Sequence, residues 1–132
     1  MVTPWSKEQA IRIEVRFRGL DSSEALREHA ARRILSHLSR FGREVTDVLV
    51  RVADVNGPKG GVDKQCQITV RGPRLGSAAV QEMSGDAYSA VDMATERLGR
   101  SVGRELERAR DRRTRGKLGK LLRVLGADEQ LA

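Results

Sequence analysis

The sequence predicts an α+β domain in which a four-stranded sheet carries two helices, both packed on one of its faces. Four segments alternate apolar and polar residues with a period of two, as half-buried strands do. Two longer segments repeat their apolar residues with the period of a helix. The chain has 132 residues, which suits one domain with a single hydrophobic core. The element order β-α-β-β-β-α lets one sheet cover the apolar stripes of both helices.

The first strand and the first helix are predicted within residues 11–41. Residues 11–17 alternate charged side chains with Ile11, Ile13, Val15 and Phe17. Asp21, Ser22 and Ser23 then supply an N-cap, and the helix that follows is expected to end at Gly42. Its inward-facing residues are Leu26, Ala30, Ile34, Leu38 and Phe41.

Three further strands are predicted at residues 45–55, 64–71 and 77–83. The first two alternate through Val48, Val50, Val52 and through Cys66, Ile68, Val70. The sequence NGPKGG at 56–61 predicts a hairpin turn between them, because its glycines can adopt positive φ. A second turn at 72–76 leads into the last and weakest strand.

The second helix is predicted to begin after Asp86, whose carboxylate is favourable at a helix N-terminus. Its inward-facing residues are Tyr88, Val91, Ala94, Leu98, Val102 and Leu106. We therefore expect a domain at residues 1–113 and a basic, flexible tail at 114–132. That tail contains three glycines, so we expect at most a short and fragile helix in it.

The positive charge of the chain is concentrated in the second helix and the tail. Residues 97–123 carry eleven Lys or Arg and three acids, a local charge of +8 against a net charge of +7 for the whole chain. Arg97, Arg100, Arg104, Arg108 and Arg112 share one third of the circumference of the helix. Like charges four residues apart repel by roughly 0.2–0.5 kcal/mol each. This row favours a polyanionic partner, and the alternative is an ordinary solvated face.

The kinds of charged and aromatic residue narrow the class of partner. Five basic residues are Lys and twenty are Arg. Because a guanidinium binds phosphate through two hydrogen bonds, this excess of Arg favours a nucleic-acid partner. A GC-rich genome is the alternative cause of a high Arg content. The four aromatic residues are Trp5, Phe17, Phe41 and Tyr88. So few stacking platforms disfavour binding of single strands, and structured RNA or a duplex backbone fits better.

The sequence contains no recognisable catalytic or metal-binding constellation. His29 and His37 do not share a ligating face, and we expect no metal and no cofactor. Asp54 and Asp63 are interpreted as solvated residues at the ends of the hairpin, and Lys59 at its tip as a further phosphate contact. Cys66 is interpreted as a small buried strand residue. We find neither a long apolar run nor a signal-peptide pattern, so we expect a cytoplasmic protein.

Three motifs resemble the family of the ribosome hibernation-promoting factor and the ribosome-associated inhibitor A. They are ALREHA at residues 25–30, DVNGPKGGVDK at 54–64 and DAYSAVD at 86–92. The resemblance extends from residue 10 to about residue 113 and includes the β-α-β-β-β-α order. It indicates a short-form member, because the chain ends before the C-terminal domain with which long members pair ribosomes.

The resemblance implies a translation inhibitor that binds the small ribosomal subunit in stationary phase or stress. Members lie between the head and the body of that subunit, in the channel used by mRNA and by the A- and P-site tRNAs. Carried over to this sequence, the rRNA-binding residues are Arg27, Arg33, Arg97, Arg100, Arg104 and Arg108. Helical periodicity adds Arg40 and Arg112, and Arg113 is a further candidate phosphate contact. Tyr88 and Asp92 match the motif but are interpreted as structural, with Tyr88 packing its helix onto the sheet.

Two other functions remain open from the sequence. One is a general structured-RNA-binding domain without ribosome specificity, resembling the double-stranded-RNA-binding fold. The other is an enzyme of small substrates, which is disfavoured because no nucleophile, base and orienting group can be assembled. Short family members have an acidic tail and this tail is basic, so whether inactive monomeric or dimeric ribosomes result stays open.

Overall fold

The computed structural model describes residues 11–56 and 62–125. The elements are β1 (Arg12–Arg18), α1 (Glu24–Leu38), a 3-10 helix (Ser39–Glu44), β2 (Asp47–Asp54), β3 (Lys64–Gly72), β4 (Gly76–Ser84) and α2 (Ala87–Leu125). The predicted order β-α-β-β-β-α and the α+β class are confirmed. The likeness to the double-stranded-RNA-binding fold stays a prediction.

The four strands form one sheet in the order β1-β2-β3-β4. β1 and β2 are parallel, and the other two neighbouring pairs are antiparallel. The inner face of the sheet contributes Ile13, Val15, Val48, Val50, Val52, Cys66, Ile68, Val70, Ala78 and Val80 to the core. Both helices cover this face, α1 beside β1 and α2 across β3 and β4. The alternation of each strand therefore predicted which side chains are buried.

Both helices begin at the caps that the sequence supplies. The Ser23 hydroxyl accepts a hydrogen bond from the Leu26 N–H at 3.1 Å, and the Asp86 carboxylate accepts one from the Ser89 N–H at 3.0 Å. Each side chain satisfies a backbone donor that has no partner within its helix.

The end of α1 differs from the prediction. α1 ends at Leu38, and the 3-10 helix, in which Gly42 adopts a φ of 56°, continues from there. Beyond it, a Cβ atom on Gly72 would lie 1.7 Å from the Glu44 carbonyl oxygen. Only glycine permits β3 to pass so close to the segment that leaves α1.

α1 and α2 lie side by side and run in the same direction. Along α1, His29 lies against Asp92 and His37 against Gly99, and in the following 3-10 helix Phe41 lies against Gly103. The His29 Nε2 to Asp92 Oδ1 distance is 2.6 Å, and the Arg33 Nε lies 3.1 Å from the same oxygen. Asp92 therefore ties two side chains of α1 to the start of α2, as its structural interpretation predicted.

The interpretation of Tyr88 is wrong. The residue is 39% exposed, and its ring meets the edge of the His29 ring with a centroid distance of 5.1 Å. Tyr88 lies in the first turn of α2, where it contacts α1 and its ring is not buried in the core. The inward-facing stripe of α2 thus begins at Ala90 and Val91, both fully buried.

The helical extent predicted for the tail is also wrong. α2 continues to Leu125, so residues 114–125 extend an existing helix. Adding residues to a formed helix avoids the unfavourable nucleation step, which outweighs the cost of about 1 kcal/mol at each interior glycine. Beyond Ala109 every described residue except Gly119 is exposed, and this part of α2 extends about 24 Å. The division into a domain and a flexible tail stays a prediction.

None of the helices within the described ranges is both long and apolar enough to cross a membrane.

Candidate nucleic-acid interface

The arginine row of α2 lies on the surface, as predicted. Arg97, Arg100, Arg104, Arg108 and Arg112 are all exposed. We define these five residues as the arginine ridge. Within the part of the chain that the structure describes, Arg100, Arg104 and Arg112 have no carboxylate within ion-pair distance. Their guanidinium groups are therefore available to an external anion.

Two members of the ridge are held by neighbouring carboxylates. Arg97 Nη1 lies 2.7 Å from Glu82 Oε2 on β4, which fixes the start of the ridge to the edge of the sheet. Arg108 Nη1 lies 2.6 Å from Glu105 Oε1 on the same helix. Because both arginines are more than half exposed, these pairs are screened by water and can exchange for a phosphate at small cost.

The three arginines predicted on the first helix have different surroundings. Arg27 donates hydrogen bonds to the Val15 carbonyl oxygen and the Ser22 hydroxyl, both at 2.9 Å, and its guanidinium lies over the Phe17 ring. Arg33 is held by Asp92 and by Glu96. These contacts tie both guanidinium groups into the domain, so they are less available than those of the ridge. Both assignments as rRNA contacts stay predictions.

Arg40 is exposed and lies where α1 meets α2. Its Nη2 donates to the Gly99 carbonyl oxygen at 3.2 Å, and its guanidinium stacks on the Phe41 ring at 4.6 Å from the centroid. These contacts hold the guanidinium plane in one orientation while leaving other N–H donors free. A guanidinium that is already oriented loses less entropy when it binds an anion.

A groove runs between the C-terminal half of α1 and the middle of α2. We call it the helix groove and define it by three adjoining hollows of about 260, 300 and 180 Å³. Arg40 lines all three hollows, and Phe41, Leu106 and Arg110 line two of them. Between the hollows, His37 lies against Gly99 and Phe41 lies against Gly103.

The far end of this groove is strongly basic. Its lining includes four arginines, Arg40, Arg74, Arg110 and Arg113, and a single carboxylate, Glu44. Glu44 Oε2 lies 3.6 Å from Arg74 Nη1, which leaves a local charge of +3. The four arginines come from the 3-10 helix that follows α1, the β3–β4 turn and α2. Only the folded chain brings them together.

The sequence did not predict Arg74 and Arg110 as site residues. Arg110 follows the spacing of Gly99, Gly103 and Leu106, which marks the side of α2 that faces α1, and this signal could have found it. Arg74 lies in the turn between β3 and β4, where no periodic pattern identifies a partner. Lys59, predicted as a phosphate contact, lies outside the described residues.

Burial changes the pKa of two side chains that could in principle serve in catalysis or metal binding, Cys66 and His37. Burial raises the pKa of the Cys66 thiol to about 12, so the thiol stays protonated and a poor nucleophile. Burial, together with the charge of Arg33, lowers the pKa of His37, which favours the neutral imidazole at neutral pH. The described residues contain no cluster of His, Cys, Asp and Glu suited to a metal.

The interpretation of the hairpin carboxylates as solvated is wrong for Asp63. Its side chain is 1% exposed, and its Oδ1 lies 2.9 Å from the Lys64 Nζ, which lies 3.5 Å from Asp54 Oδ2. The Asp63 hydrogen bond raises the pKa of the Lys64 ammonium. The side chains of Asp54, Asp63 and Lys64 therefore hold together the end of the hairpin, where the Val55 N–H donates to the Asp63 carbonyl oxygen.

Comparison with known proteins gives one family and several solved structures. Residues 13–110 match the family model described as sigma 54 modulation protein / S30EA ribosomal protein. The matched segment contains the sheet, α1 and the arginine ridge up to Arg108. No match is found among curated proteins.

Two solved structures have the same fold. The N-terminal domain of Protein Y from Thermus thermophilus is 23% identical, with a TM-score of 0.59, and the alignment covers 69% of this chain and 93% of that one. A ribosomal subunit interface protein from Coxiella burnetii is 21% identical, with a TM-score of 0.57 and coverage of 70% and 93%. At this identity the two structures support the fold alone.

Proposed function

The chain belongs to the family of sigma 54 modulation and S30EA ribosomal proteins, and on that basis we propose that it binds the small ribosomal subunit and inhibits translation. Its role is that of a hibernation factor in stationary phase or stress, as the resemblance of residues 25–30 and 86–92 implies. The binding site is the channel for mRNA and tRNA between the head and the body of the subunit. A protein that acts on ribosomes in this way acts in the cytoplasm.

The observation that carries the proposal is the arrangement of guanidinium groups on the helical side of the molecule. The arginine ridge on α2 and the basic end of the helix groove lie on the same side of the domain. Among the described residues, Arg100, Arg104 and Arg112 of the ridge make no ion pair. Each guanidinium that replaces condensed cations on a phosphate releases them, which supplies affinity. No reaction is required for a protein that inhibits by occupying the channel.

The aromatic residues favour structured RNA over a single strand. Among the described residues, Phe17 lies under Arg27 and Phe41 lies under Arg40, while the Tyr88 ring contacts His29. Two of the three rings thus already carry a guanidinium on one face, which leaves fewer faces on which an unpaired base could stack. Binding by phosphate contacts and by the shape of folded RNA fits this surface.

Competition on vacant ribosomes tests the proposal. Adding the purified protein to ribosomes from the same organism should displace mRNA and P-site tRNA in filter binding and inhibit translation in vitro. The matched control is the triple variant Arg100→Gln, Arg104→Gln and Arg108→Gln, which should compete less at physiological salt. Full simultaneous occupancy by P-site tRNA and the protein would exclude the channel.

The second candidate is a general structured-RNA-binding domain, because guanidinium groups that contact only phosphates carry no sequence preference. Sedimentation separates the two functions. A hibernation factor should comigrate with ribosomes from starved cells, whereas a general RNA-binding protein should distribute over all structured RNA in the lysate.

A further inference from the structure

The outer face of the sheet is not covered by either helix. Strand register assigns to it the alternate residues of each strand: Arg12, Glu14, Arg16, Arg18, Asp47, Leu49, Arg51, Ala53, Gln65, Gln67, Thr69, Arg71, Ser77, Ala79, Gln81 and Met83. We call this set the outer sheet face. It is polar and basic, with five arginines, two carboxylates and a net charge of +3.

Three of these arginines have no carboxylate partner. Within the described residues, Arg18, Arg51 and Arg71 make no ion pair, whereas Arg12 lies 3.9 Å from Asp47 and Arg16 lies 3.0 Å from Glu14. The Arg16 hydrogen bond lowers the pKa of Glu14, so that carboxylate is ionised and already occupied.

Two like charges also lie next to each other on neighbouring strands of the outer sheet face. Arg16 on β1 is directly opposite Arg51 on β2, an arrangement that destabilises a strand pair. A sheet that had only to stay hydrated would be more stable with an opposite charge or a threonine at one of these positions. An external anion between the two side chains would remove the repulsion.

The surface also has the shape and the donors that a phosphate backbone needs. Two shallow hollows lie on it. One of about 690 Å³ is lined by Arg12, Arg51 and Arg71 together with Glu14 and Asp47, and one of about 410 Å³ is lined by Arg16, Arg18 and Arg51 with no carboxylate. Gln65 and Gln67 add side-chain amide donors to the second hollow. Phe17 is the one aromatic residue in the lining of these two hollows, and the Arg27 guanidinium lies over its ring, so this face offers little for a stacked single strand.

We infer that the outer sheet face is a second binding surface for an RNA backbone, so that one molecule bridges two RNA segments. The arginine ridge and the helix groove lie on the helical side, and the outer sheet face points in the opposite direction. A single rigid duplex cannot contact both. This inference rests on the charge, exposure and register of the outer sheet face and does not depend on the ribosome.

A bridging experiment with two short RNA duplexes tests the inference. One duplex carries a donor dye and the other an acceptor dye, and the full chain is added at low salt, with mass photometry used to count protein and RNA molecules in each complex. The wild-type protein should give energy transfer in complexes of one protein with two duplexes. The signal should fall as salt rises, because phosphate contacts release counterions.

The variant Arg51→Gln with Arg71→Gln should keep binding one duplex and bind the second much more weakly. Its bridging affinity should depend less on salt, by about 1.4–1.8 units of log K per log salt for two lost phosphate contacts. The control Arg51→Lys with Arg71→Lys keeps both charges and should keep bridging. Thermal midpoints verify that all variants are folded.

Two results would overturn the inference. One is a wild-type protein that holds a single duplex, which would also be the result if this face bound an acidic protein. The other is undiminished bridging by the double Gln variant. Both are distinct from failure of the ribosomal function, which is measured by competition with tRNA.

Discussion

Individual guanidinium groups differ in how freely they can meet an anion. Arg27 and Arg33 are held by hydrogen bonds and carboxylates of the domain, whereas Arg100 and Arg104 are exposed and have no ion pair among the described residues. The unpaired arginines lose no intramolecular contact when they bind a phosphate. We therefore expect Arg100 and Arg104 to contribute more affinity than Arg27 and Arg33.

Neutralising the centre of the arginine ridge tests this ranking. The variant Arg100→Gln, Arg104→Gln and Arg108→Gln should remain folded, because these side chains are exposed and their mutual repulsion disappears. Ribosome affinity should fall, and the slope of log K against log salt should shrink by about two to three units, at 0.7–0.9 per phosphate. Full affinity at physiological salt would identify the ridge as a solvated face.

Asp92 gives the opposite prediction, a loss of stability without a loss of binding. Its carboxylate accepts from His29 and pairs with Arg33, which joins α1 to α2. Asp92→Asn should lower the free energy of unfolding by about 1 kcal/mol, a typical value for such partly exposed contacts. Urea denaturation measures the change.

The matched control for Asp92→Asn is Asp111→Asn, at an exposed position of α2 where the described residues provide no ion pair. It should leave stability unchanged. If both variants unfold at the same urea concentration as the wild-type protein, the contact between the helices contributes nothing measurable.

The sequence predicts the burial and contacts of a residue when these depend on its neighbours in the chain. It does not predict contacts between residues that are far apart in the sequence. Strand alternation predicts burial at positions such as Val50 and Ile68, because a local period decides which face a side chain joins. The basic end of the helix groove was not predicted, since Arg74 and Arg110 meet only after the β3–β4 turn packs near α2. The burial of Asp63 escapes prediction for a similar reason, because it accompanies an ion pair between its Oδ1 and Lys64 that no local pattern indicates.

Among the elements, α2 combines two functions in one helix. Its first part is buried against the sheet through Val91, Leu98 and Val102. Its last part continues past Ala109 with exposed Leu118, Leu121, Leu122 and Leu125. The sequence predicted the first part from its apolar stripe, but the glycines of the second part led to the expectation of a helix that barely forms. The packed first part provides the nucleus that an isolated peptide lacks.

Truncation after Arg113 tests the role of the last part. The thermal midpoint should be nearly unchanged, because no described residue beyond Ala109 is buried. Ribosome affinity should fall, or the balance of monomeric and dimeric ribosomes should change, since the leucines beside Lys117 and Lys120 can pack against an rRNA groove or a ribosomal protein.

The control for truncation keeps the segment and strengthens its helix. Gly116→Ala with Gly119→Ala meets no atom within 4 Å at either added Cβ, and each change favours the helix by about 1 kcal/mol. This variant should retain the ribosome affinity of the wild-type protein. A large fall of the thermal midpoint on truncation would show that the leucines pack on the domain.

In the domain as a whole, the fold places exposed arginines on both sides of the sheet. The sheet fixes α1 and α2 side by side and parallel, which aligns the arginine ridge with the helix groove on one side. Arg18, Arg51 and Arg71, which make no ion pair with any described residue, occupy the opposite side of the sheet. A domain with basic residues on both sides suits a space enclosed by RNA, where phosphates approach from more than one direction.

The decisive measurement is a density map of the protein bound to the ribosome of its own organism. We expect density between the head and the body of the small subunit, with the arginine ridge and the basic end of the helix groove against rRNA phosphates and with the A- and P-site tRNA positions blocked. Density outside this channel, or a bound orientation in which the ridge and the groove face solvent, would show that the proposed binding site is wrong.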